Sequence, residues 1–262
     1  MKIIVARFWA VAKQAFLRRM SSVLEQSGRT ILLAIILCVW WKLWQATDFG
    51  KFAGFRPKDA LWYLMATEWI VLSIPYTHID IEAEIRSGDF AFNLLRPGSY
   101  AGYQVANGIG LSTANWIAIG VVGISVTYAL TGSLPDLTLA RFASVGLLGL
   151  LAAWACTLVM VTLGLLAVWT NDATPFAWVW QKLQFVLGGL MFPLSIYPGW
   201  LKRLAEWTPF PHLLGNLATP MLGSGEGGGL LMAVLQVGLW VAGFSLILSF
   251  VFQRAVRRTL AG

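Results

Sequence analysis

Six apolar stretches, each close to the length that crosses a bilayer, leave this chain few folds to choose from. Residues 30–46, 60–76, 102–130, 139–169, 176–192 and 229–252 hold at most one charged residue each, and the segments between them carry most of the acids, bases and prolines. A hydrocarbon core of ~30 Å takes ~20 helical residues to cross, whereas a barrel strand would show as ~10 alternating residues, and no such alternation recurs. Only 12% of the residues are charged and 58% are hydrophobic, against about a quarter charged in soluble domains. The chain therefore reads as an all-α membrane protein with six transmembrane helices in a single domain, residues 1–262.

The net charge of +7 could signal nucleic-acid binding, but its placement argues for a membrane. Lys2, Arg7, Lys13, Arg18, Arg19 and Arg29 precede the first run, and Arg254, Arg257 and Arg258 follow the last. Basic residues gather on the cytoplasmic side of spans. Both termini are expected in the cytoplasm of a bacterium, with the chain multi-pass in the inner membrane. Lys51, Arg56 and Lys58, in the first outer loop, run against that rule. Residues 1–25 fit an amphipathic interfacial helix with Val5, Phe8, Trp9, Ala12 and Phe16 on its apolar face, and Arg19, falling on that face, is expected to snorkel. The basic start is too spread out for a cleavable signal, so the first span should be retained. Cys38 and Cys156 both read as packing residues.

The sequence carries no G-x-x-x-x-G-K-[ST] loop, no H-E-x-x-H and no G-x-S-x-G, so neither ATP hydrolysis nor a metal or catalytic site is expected in this chain. His78 and His212 are isolated. Two segments stand out. Residues 77–100 include EIRSGDFAFNLLRPGSY, which reads as an acid-bearing amphipathic helix, a break at Gly88, then an apolar patch of Phe90, Phe92, Leu94 and Leu95 stopped by Pro97. Exposed aromatics beside charges on the cytoplasmic face are the chemistry of a docking surface. Residues 193–228 form a proline- and glycine-rich outer segment, and LGGLMFPLSIYPGW at its start is too apolar for a loop and too broken for a helix. That pattern predicts a broken fifth helix whose continuation re-enters the membrane.

EIRSGDFAFNLLRPGSY after the second run resembles the signature of ABC-2-type exporter permeases, in the branch of small six-helix permeases of about this length. LGGLMFPLSIYPGW followed by WTPFP resembles that family's broken fifth helix and outer segment, and the basic amphipathic start resembles its elbow helix. The resemblance implies a transport subunit of an ATP-binding-cassette exporter, with a second permease subunit (itself or a paralogue) and a separate ATPase dimer that binds ATP and Mg. It implies that the ATPase grips the loop after the second helix, with Glu84, Arg86, Gly88, Leu95, Arg96 and Pro97 matching the coupling motif; by their own chemistry Phe90, Phe92 and Leu95 offer the apolar anchor. Membrane lipids, not nucleic acid, are the remaining partners. The largely apolar, tryptophan-rich interior leans towards an amphiphilic substrate.

Few polar residues remain inside the runs. An acid at mid-membrane costs ~2.5–3.5 kcal/mol, so Glu68 should have a partner and either lines a path or bonds a neighbouring helix. Gln104, Asn107 and Asn115 share a face of the third helix, as Gln181 and Gln184 do of the fifth. Such stripes line a translocation path or, more commonly, join helices. Asp172 and Thr174 read as the cap of the fifth helix. Two rival readings remain: a proton-coupled secondary transporter using Glu68, and an intramembrane enzyme acting on lipid-linked substrates, which would need converging acids or histidines.

Overall fold

A computed structural model describes residues 2–47, 54–222 and 229–261 of the protein. Lys51, Gly223, Gly225, Gly227, Gly228 and Gly262 lie outside them. Among the described residues every regular element is helical. The chain runs through α1 (Lys2–Ser21), α2 (Val23–Ala46) and α3 (Pro57–Ser73), then two short helices, α4 (Thr77–Ser87) and α5 (Asp89–Leu94). The long helices α6 (Tyr100–Thr131) and α7 (Leu139–Leu165) follow, with α8 (Ala167–Thr170) and α9 (Thr174–Leu187). The outer segment contributes α10 (Gly199–Glu206), α11 (Pro209–Leu213) and α12 (Gly215–Ala218), and α13 (Leu230–Ala261) closes the fold.

Among the described residues, four stretches are long and apolar enough to cross a membrane: Gln26–Ala46, Tyr100–Thr131, Leu139–Thr170 and Leu230–Leu260. The second and fifth apolar runs give shorter helices. The 17 residues of α3 and the 14 of α9 reach about 26 and 21 Å at ~1.5 Å per residue.

Proline sets both ends of α3. Pro57 occupies the first turn, where its missing N–H is no loss, and Asp59 complements the positive end of the helix dipole. Ile74, next to Pro75, is driven into the extended region. Arg29 of α2 donates to the freed carbonyls of Leu72 (2.5 Å) and Ile74 (2.9 Å) and lies over the Tyr76 ring. A cation thus caps the negative end of α3.

α3 is the centre of the fold, buried on all sides from Asp59 to Ile70. Its tightest seam uses glycine beneath tryptophan. Trp69 and Trp116 stack at 4.1 Å, and Trp69 Nε1 donates to the Trp116 carbonyl at 2.7 Å. Gly120 lies under Trp69 and Gly149 under Trp116, where a Cβ would come within 2.3 and 2.6 Å of the rings.

The structure departs from three expectations. α1 is packed against α6, where a Cβ on Gly110 would meet the Ala12 carbonyl oxygen at 2.1 Å. Its buried stripe is Ala12, Ala15 and Arg19, while Val5 and Trp9 are exposed, because small residues permit the backbone approach that the aromatic face would block. Arg19 does not snorkel: it is 5% exposed and donates Nε to Asn115 Oδ1 at 2.7 Å. Cys38 lies on an exposed face of α2, whereas Cys156 is buried in α7.

Of the charges that defied the positive-inside pattern, Arg56 and Lys58 are paired. Arg56 bonds Asp59 at 2.6 Å and Asp136 at 2.5 Å, and Lys58 approaches Asp136 at 3.8 Å. Asp136 lies between α6 and α7, so this cluster and the hydrogen bond from Trp62 Nε1 to the Ser133 carbonyl join the α3 start to the α6–α7 turn at one end of the bundle.

Candidate functional site

At the opposite end, residues 77–100 fold into a compact unit organised around Glu84. Its Oε2 accepts from Tyr100 OH (2.7 Å) and Asn93 Nδ2 (3.0 Å), and its Oε1 accepts from Gln104 Nε2 (3.3 Å). One carboxylate therefore ties α4, α5 and the start of α6 together. Gly88 joins α4 to α5 at φ +83°, a left-handed turn that a side chain would strain. The turn drops Phe90 into the core, edge-on to Tyr100 at 4.9 Å. Phe90 is therefore not an exposed anchor, as the sequence had implied. Phe92 and Leu95 remain on the outside, 72% and 79% exposed, and Arg96 and Pro97 are exposed beside them.

This unit is fastened to the start of the fifth helix. Glu82, only 7% exposed, accepts at Oε2 from the Ala173 backbone N–H (2.9 Å) and Thr174 Oγ1 (3.3 Å). Its Oε1 pairs with Arg86 Nη2 at 2.9 Å, and Arg86 Nε donates to the Asn171 carbonyl at 2.6 Å. Asn171 takes the left-handed conformation (φ 58°) that ends α8, and Asp172 Oδ1 accepts from the Thr174 N–H at 3.0 Å. The N-terminus of α9 thus receives one cap from its own Asp172 and another from a helix 91 residues away. α4 also presses on α7, where a Cβ on Gly164 would lie 2.9 Å from Ile81 Cβ and 3.0 Å from His78 Cα. His78 is buried in that seam, and burial holds its imidazole below the ordinary value while Glu82 opposes the shift.

The far end of α9 is broken and held. Gly189 turns at φ +70°, and the non-helical backbone finds partners in neighbouring protein. Tyr63 OH donates to the Gly189 carbonyl, Thr67 Oγ1 to the Leu190 carbonyl at 2.7 Å, and Gly215 N–H to the Gly188 carbonyl at 2.9 Å. Tyr63 and Thr67 belong to the middle of α3, so the break sits beside the core helix with its polar groups satisfied.

The residues read as a possible path separate into three sets. Gln104, Asn107 and Asn115 lie along one seam: Gln104 bonds Glu84, Asn107 accepts from Arg18 Nη2 at 3.2 Å, and Asn115 accepts from Arg19 and donates to the Ser73 carbonyl at 3.3 Å. All three join α6 to α1, α3 or α4. Gln184 is buried against Cys156 of α7, and Gln181 is half-buried. Glu68 stands apart, 4% exposed, with no hydrogen bond or ion pair to any described residue, so the expected bond to a neighbouring helix is not formed among them.

A family model described as ABC-2 family transporter protein matches residues 30–260. The chain belongs to the ABC-2 transporter family. No curated protein matches it. As a member it is a multi-pass, non-catalytic membrane subunit of a transporter, and the family implies an ATPase partner. The match runs from α2 into α13 and takes in the whole Glu84 unit and the broken fifth helix, while α1 lies outside it. Of the connections that hold the permease's site, the sequence reading missed the link from Glu82 to α9, the Arg29 cap and the Tyr63–Thr67 clamp. Each joins groups remote in the chain and leaves no spacing signal.

Proposed function

We propose that the permease is the membrane subunit of an ATP-driven exporter in the bacterial inner membrane, with both termini cytoplasmic. It pairs with a second permease subunit, either a copy or a paralogue, and with a separate ATPase dimer that holds ATP and Mg. The ATPase docks on residues 77–100. Phe92 and Leu95 are its apolar contacts, while Glu84, Phe90 and Gly88 hold the unit in shape and Arg86 and Glu82 fasten it to α9. The observation that carries this reading is the Glu82 bridge: a segment with exposed apolar residues is rigid within itself and bonded to the helix that breaks beside the core. Motion imposed on the segment then reaches α9. The substrate is read as amphiphilic, with Glu68, the buried carboxyl that no described residue bonds, as the group that meets it.

The test is co-purification of the cognate ATPase with wild-type permease and with Phe92→Asp. Losing an interface anchor commonly costs ~2 kcal/mol, or about thirty-fold in affinity. Reduced recovery of ATPase by a normally inserted variant supports the docking role. Equal recovery with unchanged transport removes it.

A further inference from the structure

A cavity of about 650 Å³ opens between α1 and the end of the 77–100 unit. Its walls are amphipathic. Phe8 and Val11 of α1 and Tyr103 of α6 supply apolar surface, and Arg7 of α1 and Arg96 of the 77–100 unit are both in the lining. Neither guanidinium makes an ion pair or side-chain hydrogen bond with a described residue. Among the described residues, the single acid in the lining is Glu84, whose two oxygens already accept from Tyr100, Asn93 and Gln104. The cavity lies at the first turns of the spanning helix α6, which places it at the boundary between hydrocarbon and water whichever way the chain is oriented. Next to it, α1 leaves Val5 and Trp9 exposed, apolar surface of the kind that enters a lipid headgroup layer.

We infer that this cavity binds an anionic phospholipid, its phosphodiester between Arg7 and Arg96 and the start of an acyl chain along Phe8, Val11 and Tyr103. Guanidinium is suited to phosphate because its planar donors can engage two oxygens at once, and basic pockets beside spanning helices take anionic headgroups. The apolar wall distinguishes a lipid from a free anion, which would leave that surface unused. The inference does not depend on the ATPase docking proposed above.

Native mass spectrometry of the purified, full-length permease with added phosphatidylglycerol or phosphatidylcholine tests it. The expected result is one phosphatidylglycerol retained in preference to phosphatidylcholine and not displaced by inorganic phosphate. With each arginine near a headgroup contributing ~1 kcal/mol, the double variant Arg7→Gln/Arg96→Gln should lower retention about thirty-fold. Val11→Trp, which fills the groove without changing charge, should lower it too. Lys13→Gln, an exposed base on α1 outside the cavity lining, should not. Undiminished retention in the double variant, an equal loss in Lys13→Gln, or displacement by inorganic phosphate would each overturn the site. So would unchanged lipid retention with loss of co-purifying ATPase in the double variant, because the cavity would then belong to the protein partner.

Discussion

Replacing Glu82 by alanine removes its bonds between α4 and the start of α9 without touching the exposed Phe92 and Leu95. Two charge-assisted hydrogen bonds go, from the Ala173 N–H at 2.9 Å and Thr174 Oγ1 at 3.3 Å, at ~1.5 kcal/mol each on the low side of the usual range. The Arg86 pair contributes little more, since the arginine side chain is half exposed and solvent screens it. The loss is about 3 kcal/mol, or on the order of a hundred-fold in the equilibrium that keeps the two segments together. Hydrogen exchange of the purified permease reads this directly, because exchange follows local opening. In Glu82→Ala the Ala173 amide should exchange about a hundred-fold faster. The Thr174 amide, held by Asp172 at 3.0 Å, should change less and serves as an internal reference. Glu82→Gln retains one acceptor oxygen but turns an amide donor on Arg86, and should fall between. With the ATPase in proteoliposomes, Glu82→Ala should still hydrolyse ATP but transport poorly. Wild-type exchange at Ala173 in the alanine variant would show that the bridge does not hold the joint, and the route from α4 to α9 would fail with it.

Gly120→Ala sets a Cβ 2.3 Å from Trp69 and should lower thermal stability by ~1–3 kcal/mol; an unchanged melting temperature would mean that the seam yields freely. His78 is held below its ordinary pKa by burial, so the unfolded chain takes up its proton first as pH falls through ~6.5. Stability should be full above that pH and decline below it, and His78→Gln should flatten the decline in a melting series from pH 7.5 to 5.5. Glu68 makes no bond to a described residue, so Glu68→Leu should melt near wild type while Glu68→Gln reduces transport; a misassembled leucine variant with normal transport by the glutamine variant would assign the residue to structure instead.

What the sequence made legible was set by local chemistry. Run length and proline located α3, which stops before Pro75, and glycine located the break at Gly88, because these residues act on the backbone wherever they stand. Facing was another matter. Phe90 and Phe92 are two residues apart in one apolar patch, yet on a helix that spacing turns them to different sides, so one enters the core and the other stays out. Cys38 sits in a run that is apolar all round, where composition does not distinguish the protein side from the lipid side. Arg19 was read as an intruder on an apolar face because its partner, Asn115, is 96 residues away. Glu82 was hidden for the same reason: an acid in an acidic segment carries no mark of the amide it will cap.

The two ends of α9 are held by two helices consecutive in the chain. Its N-terminus is capped by Glu82 of α4, and its C-terminal break is held by Tyr63 and Thr67 of α3. An α-helix of 14 residues is a stiff rod, since every internal carbonyl is already bonded along its axis. If docking moves α4 relative to the buried α3, α9 is drawn at one end and anchored at the other. The displacement must then appear where the rod stops, at Gly188 and Gly189, whose backbone is joined to the outer segment through the Gly215 N–H. That makes the glycine break more than a tolerated interruption in the proposed coupling: beyond the last helical bond of α9, from the Gly188 N–H to the Gln184 carbonyl, a push carried by the rod can become a rearrangement of the segment that follows.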